Sequence, residues 1–337
     1  MPTIKDIARE AGVSVTTVSN VIHGKHSRVA QETIERINQI IKIYNYTPNL
    51  SARALVSKSS RIIGVINHLI KSQTISFFQD PFHGALLGGI ENKLRERGYY
   101  MMVRTVTDES ELYSLFNNWN LDGLILTGLF DDGFFARLLA ANKPIVLLDS
   151  YIRNNRIFKV GLDDRKGGFI ATQYLIDKGH KNIIFASPPI YRQGVIEERF
   201  KGYKAALKKN NIPFSPDNIY QQEITPDEGI TLGHTLSRRH DITAVFATAD
   251  ILAAGIVSGL TQAGRRIPGD ISIIGFDDIF YSRVISPPLT TIRQDAQEKG
   301  AVAAGIMVEY LEGKEKTPRT VTMPLRLVER DSVACLQ

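Results

Sequence analysis

The feature that most constrains this chain is a regular alternation, from about residue 61 to 330, of short β-rich apolar runs with stretches of helical spacing. The runs fall at 62–66, 99–103, 123–126, 145–148, 182–186, 244–247 and 271–276. Between them, residues 84–97, 166–178, 196–209 and 251–263 carry apolar side chains at helical intervals. Strands alternating with helices build a parallel sheet with helices on both faces and right-handed crossovers. A single sheet of all these strands is unusually wide. The segments HGALLGGIENKLRERGYYMMV and ERFKGYKAALKKNNIPF also echo each other, each a glycine-containing amphipathic helix followed by a small polar turn. The expectation is a core of two doubly wound α/β lobes, with a ligand crevice between the carboxyl ends of their strands.

The first 48 residues follow a different pattern. Residues 4–11 read as a short helix with Thr3 as N-cap and Asp6 three positions on. Gly12-Val13-Ser14 is a tight connection, and Ser14 caps a second helix over 15–22 that His23-Gly24 ends. A third runs over 31–44, with Ile34, Ile37, Ile41 and Tyr44 on one face. Ile4, Ile7, Ala8, Val13, Val18, Val21 and Ile37 can form a small shared core, and Pro48 stops the third helix. The stretch NLSARALVSK (49–58) can make one more helix, capped by Asn49 and too short to stand alone in water. The expected organisation is a small all-α head at 1–48, a linker at 49–60 and a core at 61–337. Within the core, 61–161 and 290–320 are assigned to one lobe, 162–289 and 321–330 to the other.

Charge separates the same parts. Residues 1–60 hold eight Lys/Arg against four Asp/Glu, a net of +4, while the whole chain of 337 residues carries +6. A basic head on a nearly neutral body points to an anionic partner, nucleic acid before membrane surface. The one cysteine, Cys335, excludes an internal disulfide, CxxC chemistry and multi-cysteine metal sites. The start, MPTIKDIARE, carries charges where a signal peptide has its apolar core, and no apolar run approaches the ~18 residues of a membrane span. A cytoplasmic protein is expected.

Helix, tight turn and helix with Gly12 at the turn and Ala8 inside is the helix-turn-helix pattern. The second helix opens with small polar and β-branched residues (Ser14, Val15, Thr16, Thr17, Ser19, Asn20) suited to phosphates and base edges. The alternative is an ordinary three-helix bundle with a polar face. NLSARALVSK likewise has two readings. One is a frayed linker; the other is a segment that folds against DNA, with Ala52 allowing close approach, Leu55 as a minor-groove wedge and Arg53 and Lys58 at phosphates.

DIAREAGVSVTTVSNVIHG followed by YNYTPNLSARAL resembles the DNA-binding head of the lactose/galactose repressor (LacI/GalR) family of bacterial transcription regulators. The body resembles that family in KGHKNIIFAS, ERFKGYKAAL, DISIIGFDD and SPPLTTIRQD, in the expected order over nearly the whole chain. The resemblance implies a homodimeric operator-binding protein, most simply a repressor, with a periplasmic-binding-protein-like core, a small-molecule effector between the lobes and 49–58 as a hinge helix. Carried over by position, it makes Val15, Thr16 and Asn20 base-reading residues. Asn can bond adenine twice, and Val or Thr can touch a thymine methyl. It puts Thr3, Ser14, Thr17, Ser19, His23, Arg28 and Tyr46 at phosphates, and Asn49, Ala52, Arg53 and Leu55 on the minor-groove hinge. In the crevice it points to Arg199 and Asp277, whose fork and carboxylate suit a polyhydroxylated, carbohydrate-like effector. The alternative for these two is a structural ion pair, with each other among the options. Asp149, Phe82, Tyr191 and Arg192 complete the expected effector site.

Four departures from the family pattern stand out. Ala30 occupies the usual capping position before the third helix. Ala249 stands where many sugar-responsive members carry Asn, Ile224 where several carry a stacking aromatic, and LIKSQTISFFQD adds residues before DPFHG. Enzyme readings find no GxSxG, HExxH, P-loop or GxGxxG. The acid pairs Asp131-Asp132, Asp163-Asp164 and Asp277-Asp278 read as turn and cap residues before metal ligands. No catalytic residue, metal or cofactor is expected. A solute-binding protein sharing the core and a sugar-modifying enzyme are the alternatives. Because only ERDSVACLQ follows the last strand-like run, too little for coiled-coil heptads, the expected assembly is a dimer on a pseudo-palindromic operator. Its faces are expected from the helices at 84–97 and 251–263.

Overall fold

A computed structural model describes residues 2–22, 24–46, 59–68, 78–106, 108–128 and 143–336, together with Phe135 and Leu138. The chain divides into two units, Met1–Ser60 and Arg61–Gln337.

In the first unit, α1 (Ile4–Glu10), α2 (Val15–Ile22) and α3 (Gln31–Ile43) pack around Ile7, Ala8, Ala11, Val18, Val21, Ile34, Ile37 and Ile40. Thr3 and Asp6 form the expected capping box. The turn to α2 needs Gly12, whose φ is +67°, and the Val13 N–H closes it on the Ala8 carbonyl at 3.0 Å. Ser14 Oγ accepts the Thr17 N–H at 3.1 Å, which caps α2. At the start of α3, Ala30 is the N-cap residue and supplies no side-chain hydrogen bond. Residues 49–58, the expected hinge, lie outside the described residues, as does His23.

The second unit holds two six-stranded sheets. The first joins β1 (Ile62–His68), β2 (Tyr100–Val106), β3 (Gly123–Thr127), β4 (Ile145–Leu148), β5 (Phe158–Gly161) and β11 (Thr320–Thr322) in the order β2-β1-β3-β4-β5-β11. The second joins β6 (Ile183–Ser187), β7 (Ile219–Gln221), β8 (Ala244–Ala247), β9 (Ser272–Asp277), β10 (Thr290–Gln294) and β12 (Leu325–Val328) in the order β7-β6-β8-β9-β10-β12. Every pairing is parallel except β10 with β12. The central strands of both sheets are buried on both faces, as in parallel sheets generally. In the first, Ile125, Val146 and Leu148 join one core, while Leu124, Leu126, Ile145 and Leu147 join another. In the second, Phe185 and Phe246 lie on one side, and Ile184, Ala186, Val245 and Ala247 on the other.

The helices are α4 (Pro81–Glu96), α5 (Glu109–Asn118), α6 (Asp164–Asp177), α7 (Val195–Lys209), α8 (Pro226–Leu236), α9 (Asp250–Gln262), the short α10 (Tyr281–Val284) and α11 (Ala296–Leu311). The chain passes between the sheets three times, after β5, after β10 and between β11 and β12. The second passage corrects the expected lobe boundary. Residues 290–294 pair with β9 in the second sheet, where Ile292 is fully buried and the Thr291 hydroxyl bonds Asp250, so the crossing follows Gln294. The last strand-like run, 320–328, also splits. Met323-Pro324 divides it, leaving β11 in one sheet and β12 in the other.

Candidate functional site

On the head, α2 presents Val15, 41% exposed, and Thr16, also exposed; Thr17, Ser19 and Asn20 are half-buried along the same helix. An exposed aliphatic side chain that opens a polar helix makes no contribution to the head's own core. Thr3 and Ser14 are occupied as caps, each at a helix start where free N–H groups gather. Arg28 falls in the short turn His26–Arg28, and Tyr46 packs half-buried against the head core.

In the core, the crevice is assembled by helix crossings. Helices α6 and α7 approach so closely at Gly168 and Gly202 that a Cβ on either would strike backbone of the other. Asp164 stands one turn before Gly168, and Arg199 one turn before Gly202. The crossing therefore brings their side chains together. Arg199 Nε donates to Asp164 Oδ1 at 2.8 Å, Nη1 donates to the Thr248 carbonyl at 2.6 Å, and the guanidinium lies 3.6 Å from the Phe276 ring centroid. Tyr151, in the loop after β4, shares its hydroxyl with the other Asp164 oxygen at 2.9 Å. Burial raises the Asp164 carboxyl above the usual range, against the pull of Arg199. Burial and the Asp164 charge hold the Tyr151 phenol far above its ordinary value, so it is a hydroxyl donor.

Arg199 and Asp277 are thus not each other's hydrogen-bond partners. Asp277, at the carboxyl end of β9, accepts the Gln294 amide at 2.6 Å. That amide's oxygen accepts from Lys299 Nζ at 2.6 Å, and Lys299 also bonds both Asp149 oxygens, at 2.6 and 2.9 Å. The relay Asp277–Gln294–Lys299–Asp149 runs from the second sheet to the first, beside the parallel link Thr248–Arg199–Asp164–Tyr151. Burial pushes Asp277 up to about 7, despite the Arg199 charge and the Gln294 hydrogen bond. Asp149, Asp277 and Asp278 all have positive φ (+50°, +117° and +59°), a sparsely populated region for non-glycine residues.

Asp278 faces away into a separate cluster, bonded to Arg330 at 2.5 Å with Arg283 and Arg293 each at 3.4 Å. Asp163 caps α6 through the Lys166 N–H. Asp250, fully buried, accepts from the Thr291 hydroxyl at 2.6 Å and the Ile279 N–H at 3.0 Å, which anchors the Asp277–Asp278 turn. Burial and the nearby Asp277 charge push the Asp250 carboxyl well above the usual range. Phe82, at the start of α4, has its ring centroid 5.4 Å from Lys299 Nζ. Tyr191 is half-buried and Arg192 exposed in the turn before α7, which touches the other lobe where the Gln193 carbonyl accepts the Tyr151 N–H. Ala249 leaves α9 without a side-chain cap, and the neighbouring buried Thr248 hydroxyl has no hydrogen-bond partner among the described residues. Ile224 packs against the second-sheet core.

The site residues that sequence reasoning missed are Asp164, Tyr151, Gln294 and Lys299. Lys299 alone left a usable signal. It falls on the same helix stripe as Ala296, Gly300, Ala303 and Met307, so a lysine interrupts a buried face.

A helix-turn-helix head joined to a two-lobed core with a polar crevice defines a DNA-binding transcription regulator built on a solute-binding scaffold. Residues 3–49 match the bacterial regulatory proteins of the lacI family, and residues 172–333 match the periplasmic binding protein-like domain. The chain is 32% identical over 343 residues, covering all of both chains, to the HTH-type transcriptional repressor PurR of Histophilus somni (strain 129Pt). It is 31% identical over 344 residues, again covering both fully, to the ribose operon repressor of Haemophilus influenzae. Among solved structures, the lac repressor dimer bound to operator and the anti-inducer ONPF superposes with a TM-score of 0.86 at 25% identity, covering 99% of each chain. The chain belongs to the lacI family of bacterial regulatory proteins. Among the described residues no helix is long and apolar enough to cross a membrane.

Proposed function

We propose that this regulator is a cytoplasmic repressor, not an enzyme, that binds a pseudo-palindromic operator as a two-fold dimer and answers to a carbohydrate-like effector held between its core lobes. The observation that carries the reading is the pair of polar relays across the crevice. Arg199 keeps three N–H groups unengaged by described residues. Asp277 keeps one oxygen without a donor among them. A ligand hydroxyl pair fits between such a fork and such a carboxylate. Asp149 and Phe82 would flank the ligand, with Tyr191 and Arg192 at the rim. The ribose operon repressor and the ONPF-bound lac repressor support the sugar class.

On the head, Val15, Thr16 and Asn20 would read bases. Thr3, Ser14, Thr17, Ser19, His23, Arg28 and Tyr46 would hold phosphates, while Asn49, Ala52, Arg53 and Leu55 would form the minor-groove hinge. For the dimer, the expected helices have little apolar surface to offer. Nine of the thirteen α9 residues are buried within the chain. Exposed apolar side chains lie instead at Phe280, Tyr281 and Val284, 69%, 44% and 56% exposed, which are the better candidates for the two-fold contact. Effector binding would change the spacing of the paired heads, and linkage makes the effect mutual: operator must change effector affinity by the same factor. The test is selection of binding sites by the full chain from a random DNA pool, with neutral sugars then added to the complex. A two-fold symmetric site released or tightened by a sugar is expected; recovery of only asymmetric sites, or no sugar effect, refutes the reading.

A further inference from the structure

Lys299 is among the largest side chains in the chain with no exposed surface. A buried ammonium is tolerated only when its charge and its protons are matched. Here both are. Lysine has three donors, and all three are spent, two on Asp149 and one on Gln294. The position is fixed from behind. Gly300, the next residue, packs so close to the Leu86 carbonyl of α4 that no Cβ fits, which locks this turn of α11 against the first lobe.

The charges of the crevice then pair off. Arg199 answers Asp164, and Lys299 answers Asp149. Among the described residues Asp277 accepts a hydrogen bond only from the neutral Gln294 amide, with the Arg199 and Lys299 charges nearby but already paired, and Asp250 only from a hydroxyl and a backbone N–H. Arg283, Arg293 and Arg330 are gathered instead on Asp278. Among the described residues lining the relays, acids outnumber cations and no cation lacks an acid. Asp149 remains 19% exposed at its side chain, so the clamped carboxylate still offers lone pairs to the crevice.

We propose that Lys299 is the specificity-determining residue of this crevice: by clamping Asp149 it keeps Asp149 and Asp277 as paired acceptors, so the site takes a neutral, hydroxyl-rich molecule and turns away a uronate or a sugar phosphate. Hydroxyl groups donate to carboxylates without adding charge. An anionic ligand would bring a further negative charge beside two acids; the spare Arg199 N–H groups can bond it, but the guanidinium charge is already matched by Asp164 and every Lys299 ammonium proton is spent. Lys299 acts through Asp149 and Gln294 and is a positioning residue. The inference rests on the crevice reading above.

The test uses calorimetric titration of the full chain with neutral mono- and disaccharides, D-glucuronate and ribose 5-phosphate. The proteins are the wild type, Lys299→Met, the double variant Lys299→Met/Asp149→Asn and Asp277→Asn. At least one neutral sugar should bind wild type, tenfold or more tighter than either anion. Lys299→Met should weaken that sugar at least tenfold and shrink the neutral-to-anion ratio. The double variant, which no longer buries an uncompensated carboxylate, should regain thermal stability without regaining the ratio, a separation that a purely structural lysine does not produce. Wild type binding an anion as tightly as any neutral sugar, binding no neutral sugar, or keeping its ratio in Lys299→Met overturns the proposal. If sugar binding survives Asp277→Asn unchanged, the crevice reading itself fails; if Asp277→Asn abolishes it while Lys299→Met leaves it intact, only the role of Lys299 falls.

Discussion

Replacing Arg199 with methionine tests the centre of the crevice without touching the head. Methionine fills similar volume and removes the guanidinium, leaving Asp164 at 0% exposure with Tyr151 as its remaining side-chain partner. Breaking one side of a buried ion pair costs about 3–5 kcal/mol, because a buried charge is left without its counterion. The Thr248 carbonyl also loses its 2.6 Å donor, which left dry costs about 1–3 kcal/mol. The two losses share one site and do not add, so about 4 kcal/mol is expected at pH 8.

The penalty must also depend on pH, and the sign follows from Asp164. Burial already raises its carboxyl above the usual range in the presence of Arg199, and removing the guanidinium raises it further. Between the unfolded value of about 3.9 and the raised folded value, the native state holds a proton that the unfolded state has lost. Stability of Arg199→Met therefore falls as pH rises through that window, by up to about 1.4 kcal/mol per unit, and levels off above it. Asp277 adds in the same direction, since Arg199 is one of the charges pulling it down. Urea unfolding of variant and wild type, followed by circular dichroism at pH 5, 6, 7 and 8, reads the difference directly, provided the core unfolds in one step. The expected result is a small penalty at pH 5 that grows to its full size by pH 8. Arg199→Lys, which keeps the charge but not the fork, should cost about 1–2 kcal/mol with little pH dependence. A penalty equal at pH 5 and pH 8, or below about 1 kcal/mol at pH 8, would show that the Arg199–Asp164 pair does not hold this site together.

Three further outcomes are expected. With Asp277 pushed up to about 7 and acting as an acceptor, affinity for a bound sugar should fall as pH drops from 8 to 6, and titration calorimetry at each pH should show that binding releases a proton near pH 7. Asn20→Ala should cost about 1–3 kcal/mol on the selected operator and relax preference at one symmetric pair of base positions; a uniform loss across all sequences would make Asn20 a phosphate contact. Ala30→Ser should supply the side-chain cap that α3 lacks, stabilising the head by about 0.5–1 kcal/mol in thermal unfolding followed at the head.

What the sequence revealed and what it hid divide along physical lines. The strands at 123–127, 145–148 and 244–247 were legible because both sheet faces are buried, which leaves unbroken apolar runs. Helix α8 and strand β5 were not. PDEGITLGHTL carries few large apolar residues, because glycines do its packing, and FKVG is too short to show a period. The crevice was half visible. Arg199, Asp277 and Asp149 came from resemblance, and the structure brings all three into two neighbouring relays. Their partners stayed hidden because a relay links residues as far apart as 149 and 299, a pairing that no local window contains. The boundary error at 290 has the same origin. Nothing within TTIRQ assigns it to either lobe, and only its pairing with β9 decides.

Glycine explains how the residues of the crevice are brought together. Three helix pairs, α4 with α11, α6 with α7, and α8 with α9, approach through glycines whose added Cβ would strike the partner's backbone. In the last pair the spacing is GxxxG on both helices, Gly229 and Gly233 against Gly255 and Gly259, with a Cβ at Gly229 or Gly233 meeting partner carbonyls at 2.6 Å. Such crossings use a helix face for intrachain packing and leave it unavailable to a second copy. They also fix rotation about the helix axis, which side-chain packing alone leaves looser. At the α6–α7 crossing this rotation aims Asp164 and Arg199 at each other. At α4–α11 it turns Lys299 inward beside Phe82. The apolar period of a helix says which face is buried. The glycines say how closely it is approached, and here that closeness sets the Arg199–Asp164 and Lys299–Asp149 pairs.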